Sequence, residues 1–207
     1  MIRLAAVRTV LFDFGGVLAT EGFQQGLFVI ARNHDLVFHD FFTVATETMY
    51  GCGYLTNDNN EAGYWHSMRE QTGITGTDAQ LTKEILDRFQ LRPAMMAAVR
   101  ALKKRAVTCA ILSDQTDWLD RLEKRLHFFH EFYLVCNSFH TKMTKRDPRA
   151  FYNAARLLRN TPGEILFVDD NPANTAMAES LGFQVHHFTE ENRFLAVIAP
   201  LCAASGR

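Results

Sequence analysis

Residues 9–20 read TVLFDFGGVLAT, and the fold turns on this stretch. Val10, Leu11 and Phe12 form an apolar run of buried-strand length, Asp13 closes it, and Gly15-Gly16 lets the backbone turn sharply straight afterwards. A carboxylate is thereby expected at the C-terminal end of a strand. Ligands bind there in an open α/β sheet, because the loops leaving neighbouring strands splay apart into a crevice. Taken alone, an Asp after a strand only starts a turn. Partners for Asp13 must come from elsewhere in the chain.

Working outward, the pattern from Gly22 to Arg92 is helical. Gly22 to Asp35 carries Phe23, Leu27, Ile30 and Ala31 on one helical face, and Phe38 to Tyr50 is a second apolar-rich stretch. Asp58 is placed to cap a third helix holding Tyr64, Trp65 and Met68. Thr77 with Gln80 fits a capping box that opens a fourth, with Leu81, Ile85, Leu86 and Phe89. Four helices without a strand, inserted after the first strand, predict a small all-helical domain (residues 19–92) over the C-terminal edge of the sheet. Residues 1–18 and 93–207 then form the core domain.

The rest of the chain alternates strand and helix. Pro93 starts a helix ending in the basic run 103–105, which suits that helix's negative pole, and Val107 to Leu112 is a strand. A helix after Asp117, a strand at Tyr133 to Cys136, a helix opened by Asp147-Pro148 and a strand at Ile165 to Val168 follow. Asn171-Pro172 opens a helix ending at Gly182; Gln184 to Phe188 reads as the last strand and Glu190 to Leu201 as the last helix. This order predicts an α/β, Rossmann-like, mostly parallel sheet with helices on both faces.

Composition narrows the function classes. With 207 residues the chain buries one full core and at most a small accessory domain. Twenty-two Lys and Arg against 23 Asp and Glu give a net charge of −1, so no global field favours nucleic acid or an anionic membrane. Cys52, Cys109, Cys136 and Cys202 are far apart, with neither metal-ligand nor dense disulfide spacing, which points to free thiols in a reducing compartment. The apolar stretch before Asp13 is too short to span a bilayer. A cytoplasmic protein is expected, a monomer by default.

Three predicted strands end in residues capable of chemistry: Asp13, Ser113-Asp114, and Asp169-Asp170, with Lys145 just before the helix of Asp147-Pro148. In that order, FDFGGVL, LSD, KRDPRAF and FVDDNPANTAMAESLG resemble the four motifs of the haloacid dehalogenase superfamily over nearly the whole chain. The resemblance implies a core sheet with a helical cap between the first two motifs. It is closest to small bacterial sugar-phosphate hydrolases with Gly two residues after the nucleophile. It further implies that Asp13 attacks phosphorus, and that Mg²⁺ is held by Asp13, the Gly15 carbonyl and Asp170, with Asp169 orienting a bound water. Hard oxygens suit that ion. Ser113, Asp114 and Lys145 would meet the phosphate, Ser113 by its hydroxyl and Lys145 by offsetting anionic charge.

The chain departs from the family's pattern in three places. Gly15 stands where many relatives carry an Asp that protonates the leaving oxygen; His66, Glu21 and Tyr64 are candidate stand-ins. Asp114 stands where Asn is common, and its charge would repel a phosphate unless it turns away, is protonated or pairs with a cation. Lys142 and Lys145 compete for one role, with the spacing to Asp147-Pro148 favouring Lys145. Phe23, Tyr64, Trp65, His66 and Arg69 could touch a substrate, Arg69 suiting a second anion. The expected activity is a magnesium-dependent phosphatase acting on a small phosphorylated metabolite, such as a sugar phosphate. The alternatives are a catalytically weakened binding protein of the same fold and, third, a metal-free 2-haloacid dehalogenase.

Overall fold

A computed structural model describes residues 2–203. Five strands, β1 (Thr9–Phe12), β2 (Thr108–Ser113), β3 (Leu134–Asn137), β4 (Ile165–Asp169) and β5 (Gln184–His187), form one parallel sheet in the order β3-β2-β1-β4-β5. The α/β, Rossmann-like architecture expected from the sequence is present, and the sheet is parallel throughout. Strands buried on both faces need apolar residues at every position, which the runs VLF and ILFV supply.

Alternate side chains of the central strand enter two cores. Val10 and Phe12 pack in one with helices α5 (Pro93–Lys103), α6 (Trp118–Leu126) and α10 (Glu191–Cys202). Leu11 packs in the other with α8 (Pro148–Leu158) and α9 (Pro172–Ser180). The short α7 (Ser138–Thr141) follows β3 and had no separate signal in the sequence.

Between β1 and β2 lie α1 (Gly22–Asn33), α2 (Phe38–Gly51), α3 (Glu61–Thr72) and α4 (Asp78–Leu86). Helix α1 lies close against α4: a Cβ on Gly26 would fall 2.6 Å from the Ile85 Cα, so only glycine permits this approach. The chain enters and leaves this helical set through a stitched pair of segments. Ala19 bridges Leu91 in antiparallel fashion, Thr20 N–H donates to the Gln90 carbonyl (2.9 Å) and Arg92 N–H to the Leu18 carbonyl (2.8 Å).

The Thr77–Gln80 capping box forms as expected. The cap expected from Asp58 does not: Asn60 opens α3, its side chain accepting from Gly63 N–H at 3.0 Å. Asp58 instead pairs with Lys142 Nζ at 3.0 Å. Tyr133 and Phe188 fall just outside their strands, and the helix expected to reach Gly182 ends at Ser180. The four cysteines are unpaired, and among the described residues no helix is long and apolar enough to cross a membrane.

Candidate active site

Because β2 and β4 flank β1, the C-terminal ends of three neighbouring strands deliver Ser113, Asp13 and Asp169 to one edge. Asp13 N–H donates to the Val168 carbonyl (2.8 Å), continuing the β1–β4 pairing one residue past the strand. Its Oδ1 accepts from Phe14 N–H at 2.7 Å and sits 2.9 Å from Lys145 Nζ. Both contacts fall on Oδ1; among the described residues Oδ2 accepts no protein hydrogen bond.

After Asp13 the chain makes a single wide turn, and of the two glycines only Gly16 lies in the left-handed region (φ 75°). A Cβ there would also overlap Asp170 Oδ2 at 1.9 Å, so Gly16 is what lets Asp170 come alongside β1. Gly15 has an ordinary φ of −67° and is not needed for the turn. A Cβ on Gly15 would instead stand 2.8 Å from Glu21 Oε2.

Lys145 is 3% exposed, its ammonium reaching Asp13 and, at 2.7 Å, Asp169 Oδ2. Burial opposes its charge, but Asp13, Asp169 and Asp114 outweigh that and hold its pKa well above the usual lysine value. Lys142, its rival in the sequence, is exposed and pairs with Asp58. Asp13, Asp169 and Asp170 can bring one carboxylate oxygen each within 4.8 Å of one another. Burial pushes the Asp13 carboxyl well up, opposed by Lys145 and reinforced by Asp169 and Asp170; burial and Asp169 likewise raise Asp170. Three clustered carboxylates facing one ammonium leave an excess of negative charge, held by hard oxygen donors. Such a donor set fits a divalent cation of the magnesium type.

Asp169 is fully buried behind this cluster. Besides Lys145 it accepts from Asn171 N–H (2.8 Å) and from Asn174 Nδ2 (3.1 and 3.2 Å), so both of its oxygens are engaged by the protein. The sequence alone gives little notice of Asn174. Its only signal is its place on the first turn of the helix that Asn171-Pro172 opens, four residues beyond Asp170. Asp114 has also found partners: it accepts from Lys145 N–H at 2.8 and 3.1 Å and from the Tyr50 hydroxyl at 2.9 Å. Burial raises its pKa, while Lys145 and the Tyr50 hydrogen bond oppose the rise. Asp114 thus supports Lys145 and α2 while still lining the cavity.

A cavity of about 540 Å³ opens over this edge, within the range usual for small-ligand sites. Asp13, Gly15, Ser113, Asp114, Lys145 and Asp170 line its floor, whereas Asp169 lies behind it. Of the three stand-ins for a proton-transferring group, Glu21 lines the cavity. Its carboxyl is pushed up to about 7 by burial and then by Asp170. His66 is exposed, and Tyr64 is fully buried among Tyr54, Trp65 and Trp118. Trp65 is equally buried, donating to Thr82 (2.8 Å), and Arg69 pairs with Asp78 at 2.6 Å, so neither lines the cavity. Phe23 does.

A buried acid cluster with one lysine, at the C-terminal edge of a parallel sheet and beneath helices inserted after its first strand, defines a class of Rossmann-like α/β proteins with an acidic strand-end site. The chain belongs to the haloacid dehalogenase-like hydrolases, whose family model matches residues 7–182. It is 24% identical over 199 residues to mouse bifunctional epoxide hydrolase 2, covering 86% of this chain and 35% of that enzyme, about a third of its length. A HAD family enzyme of Bacteroides thetaiotaomicron, solved with magnesium and inorganic phosphate, superposes with a TM-score of 0.69 at 19% identity, covering 91% of this chain and 98% of that one. The L-2-haloacid dehalogenase of Xanthobacter autotrophicus gives 0.66 at 18% identity over 95% and 84%. At such identities these likenesses establish the shared fold.

Proposed function

We propose that the chain is a magnesium-dependent phosphomonoester hydrolase acting through an aspartyl phosphate on Asp13. The observation that carries this reading is the buried cluster of Asp13, Asp169 and Asp170 beside Lys145. Displacement of halide from carbon by Asp13 needs no metal, and the paired carboxylates that follow β4 would have no work to do in it. Cation-assisted attack on an anionic phosphate needs both.

Asp13 and Asp170, with the Gly15 carbonyl, would hold the ion, and Asp169 would brace Lys145 from behind. When bound, the ion supplies charge that offsets repulsion between the Asp13 carboxylate and the phosphate. Asp13 attacks phosphorus, forming the new P–O bond as the bond to the alcohol oxygen breaks. Lys145 and the Ser113 hydroxyl meet the phosphoryl oxygens. Glu21, filling the space beside Gly15, gives its proton to the departing oxygen and then takes one from the water that attacks the aspartyl phosphate. Residues 19–92 act as the cap, their two stitched connections serving as its stem.

Phosphate release from a panel of phosphomonoesters, with magnesium or chelator, tests this for the wild type and Asp13→Asn. Magnesium-dependent release lost in the variant is expected. Activity persisting in Asp13→Asn would sink the mechanism, and chloride release from chloropropionate in chelator would replace it with dehalogenation.

A further inference from the structure

The cavity has two unlike ends. Its floor is anionic and carries Lys145; its upper wall is built from Phe23, Phe42, Met49, Leu55 and Trp118. Phe23 and Phe42 are only half-buried, so aromatic surface is left facing the open space. Their rings lie 6.4 Å apart, and Phe23 lies 6.4 Å from Trp118. From Phe42 the aromatic run continues outward through Phe38 (5.6 Å) to Phe28 (5.3 Å further), which is 49% exposed at the protein surface.

Among the described residues the cavity-lining polar side chains without a hydrogen-bond partner include Gln24, Thr46, Ser113 and Gln115, whereas those set among the aromatic rings are engaged. Tyr50 gives its hydroxyl to Asp114, and Trp118 gives its indole N–H to Glu61 at 2.7 Å. Gln24 and Thr46 are the other polar side chains that the inserted helices bring to the wall beside Glu21. Among the described residues the cavity's cations are Lys145 and Arg146. Lys145 is paired with Asp13 and Asp169; Arg146 is paired with Glu47 at 3.0 Å, its guanidinium 3.6 Å above the Tyr50 ring. Among those residues no unpaired cation is present for a second phosphate or a carboxylate, and Arg69 lies elsewhere. An extended apolar group, entering along the aromatic run, would bury the exposed ring faces and leave no charge unmatched.

We infer that the substrate is a phosphomonoester of an apolar alcohol, its chain or ring lying along Phe23 and Phe42, rather than a sugar phosphate. This rests on the phosphatase reading of the same site. The test uses straight-chain alkyl phosphates from ethyl to hexyl, whose leaving alcohols differ little in acidity, so the trend reports the wall and not the chemistry. Expected is a rise in kcat/KM of about threefold per added methylene. Phe42→Ser should lower the hexyl-to-ethyl ratio about tenfold, and a ratio within one preparation is independent of the folded fraction. A flat series, or glucose 1-phosphate turned over faster than hexyl phosphate, overturns the inference while the phosphatase reading stands. If no ester releases phosphate, that reading fails, and calorimetry with the matching alkylphosphonates still decides the wall. Binding that tightens with chain length supports it, and binding that does not refutes it.

Discussion

Glu21→Gln removes a single charge at the mouth of the acid cluster and keeps the shape of the side chain. Burial and the neighbouring Asp170 raise the Glu21 carboxyl from the ordinary 4.5 to about 7. Below pH 4.5 both folded and unfolded chains carry the proton, and the residue contributes nothing to the pH dependence of stability. Between 4.5 and 7 the unfolded chain has lost the proton and the folded chain keeps it. The native state then binds more protons than the unfolded one, and stability falls as pH rises. At about 1.4 kcal/mol per pH unit the ionised residue costs at most about 3.5 kcal/mol above pH 7. This is an upper limit, because Glu21 retains some solvent contact. Glutamine carries no such penalty. Urea unfolding in chelator from pH 4.5 to 8.5 should therefore show the variant gaining on the wild type as pH rises, by up to about 3.5 kcal/mol. Saturating magnesium should shrink the gain, since the ion offsets the charge of Asp170. A difference that does not move with pH would refute the placement of a buried, proton-holding Glu21. In turnover, the same variant should lose on the order of 10²- to 10⁴-fold in kcat if Glu21 handles the proton of the leaving oxygen.

Lys145→Met leaves Asp13 and Asp169 buried without their ammonium, and a loss of about 3–5 kcal/mol is expected in chelator at neutral pH. Magnesium should return part of it, as should acid, because the Asp13 carboxyl already takes up a proton above its usual range. Unchanged urea midpoints would contradict the pairing. Tyr50→Phe keeps the ring beneath Arg146 but removes the hydroxyl from Asp114, so a loss of about 1–2 kcal/mol is expected, with Tyr50→Ala losing more through the guanidinium contact as well. Equal stability of the Tyr50→Phe variant and the wild type in denaturant melts would show that Asp114 does not depend on α2.

The strand-end residues were legible because each marks a change of local pattern: an apolar run stops, a charge or hydroxyl follows, and a helix start comes next. Once β1 is placed between β2 and β4, convergence of Asp13, Ser113 and Asp169 follows from topology, with no knowledge of side-chain angles. Other features depend on contacts across the chain. Asp58, Asn59 and Asn60 are three adjacent residues suited to capping, and Asp58 is withdrawn by Lys142, which lies 84 positions further on. Gly15 could be read as a gap in the chemistry or as a need of the turn, until Glu21 is seen to fill the space beside it.

The cavity wall was the least legible part, and α2 shows why. Phe41 and Phe42 are neighbours of the same type, yet Phe41 is buried in the core while Phe42 borders the cavity. Helical periodicity says which residues share an apolar face; it does not say whether that face meets protein or open space. That depends on how α1 and α2 lie, and their position is set by the approach of Gly26 to Ile85 and by the Tyr50–Asp114 and Arg146–Glu47 contacts. The chemistry at the floor is thus written in short local signals at strand ends, whereas substrate preference arises from helix placement. A change in those few contacts would redirect specificity and leave every residue of the acid cluster in place.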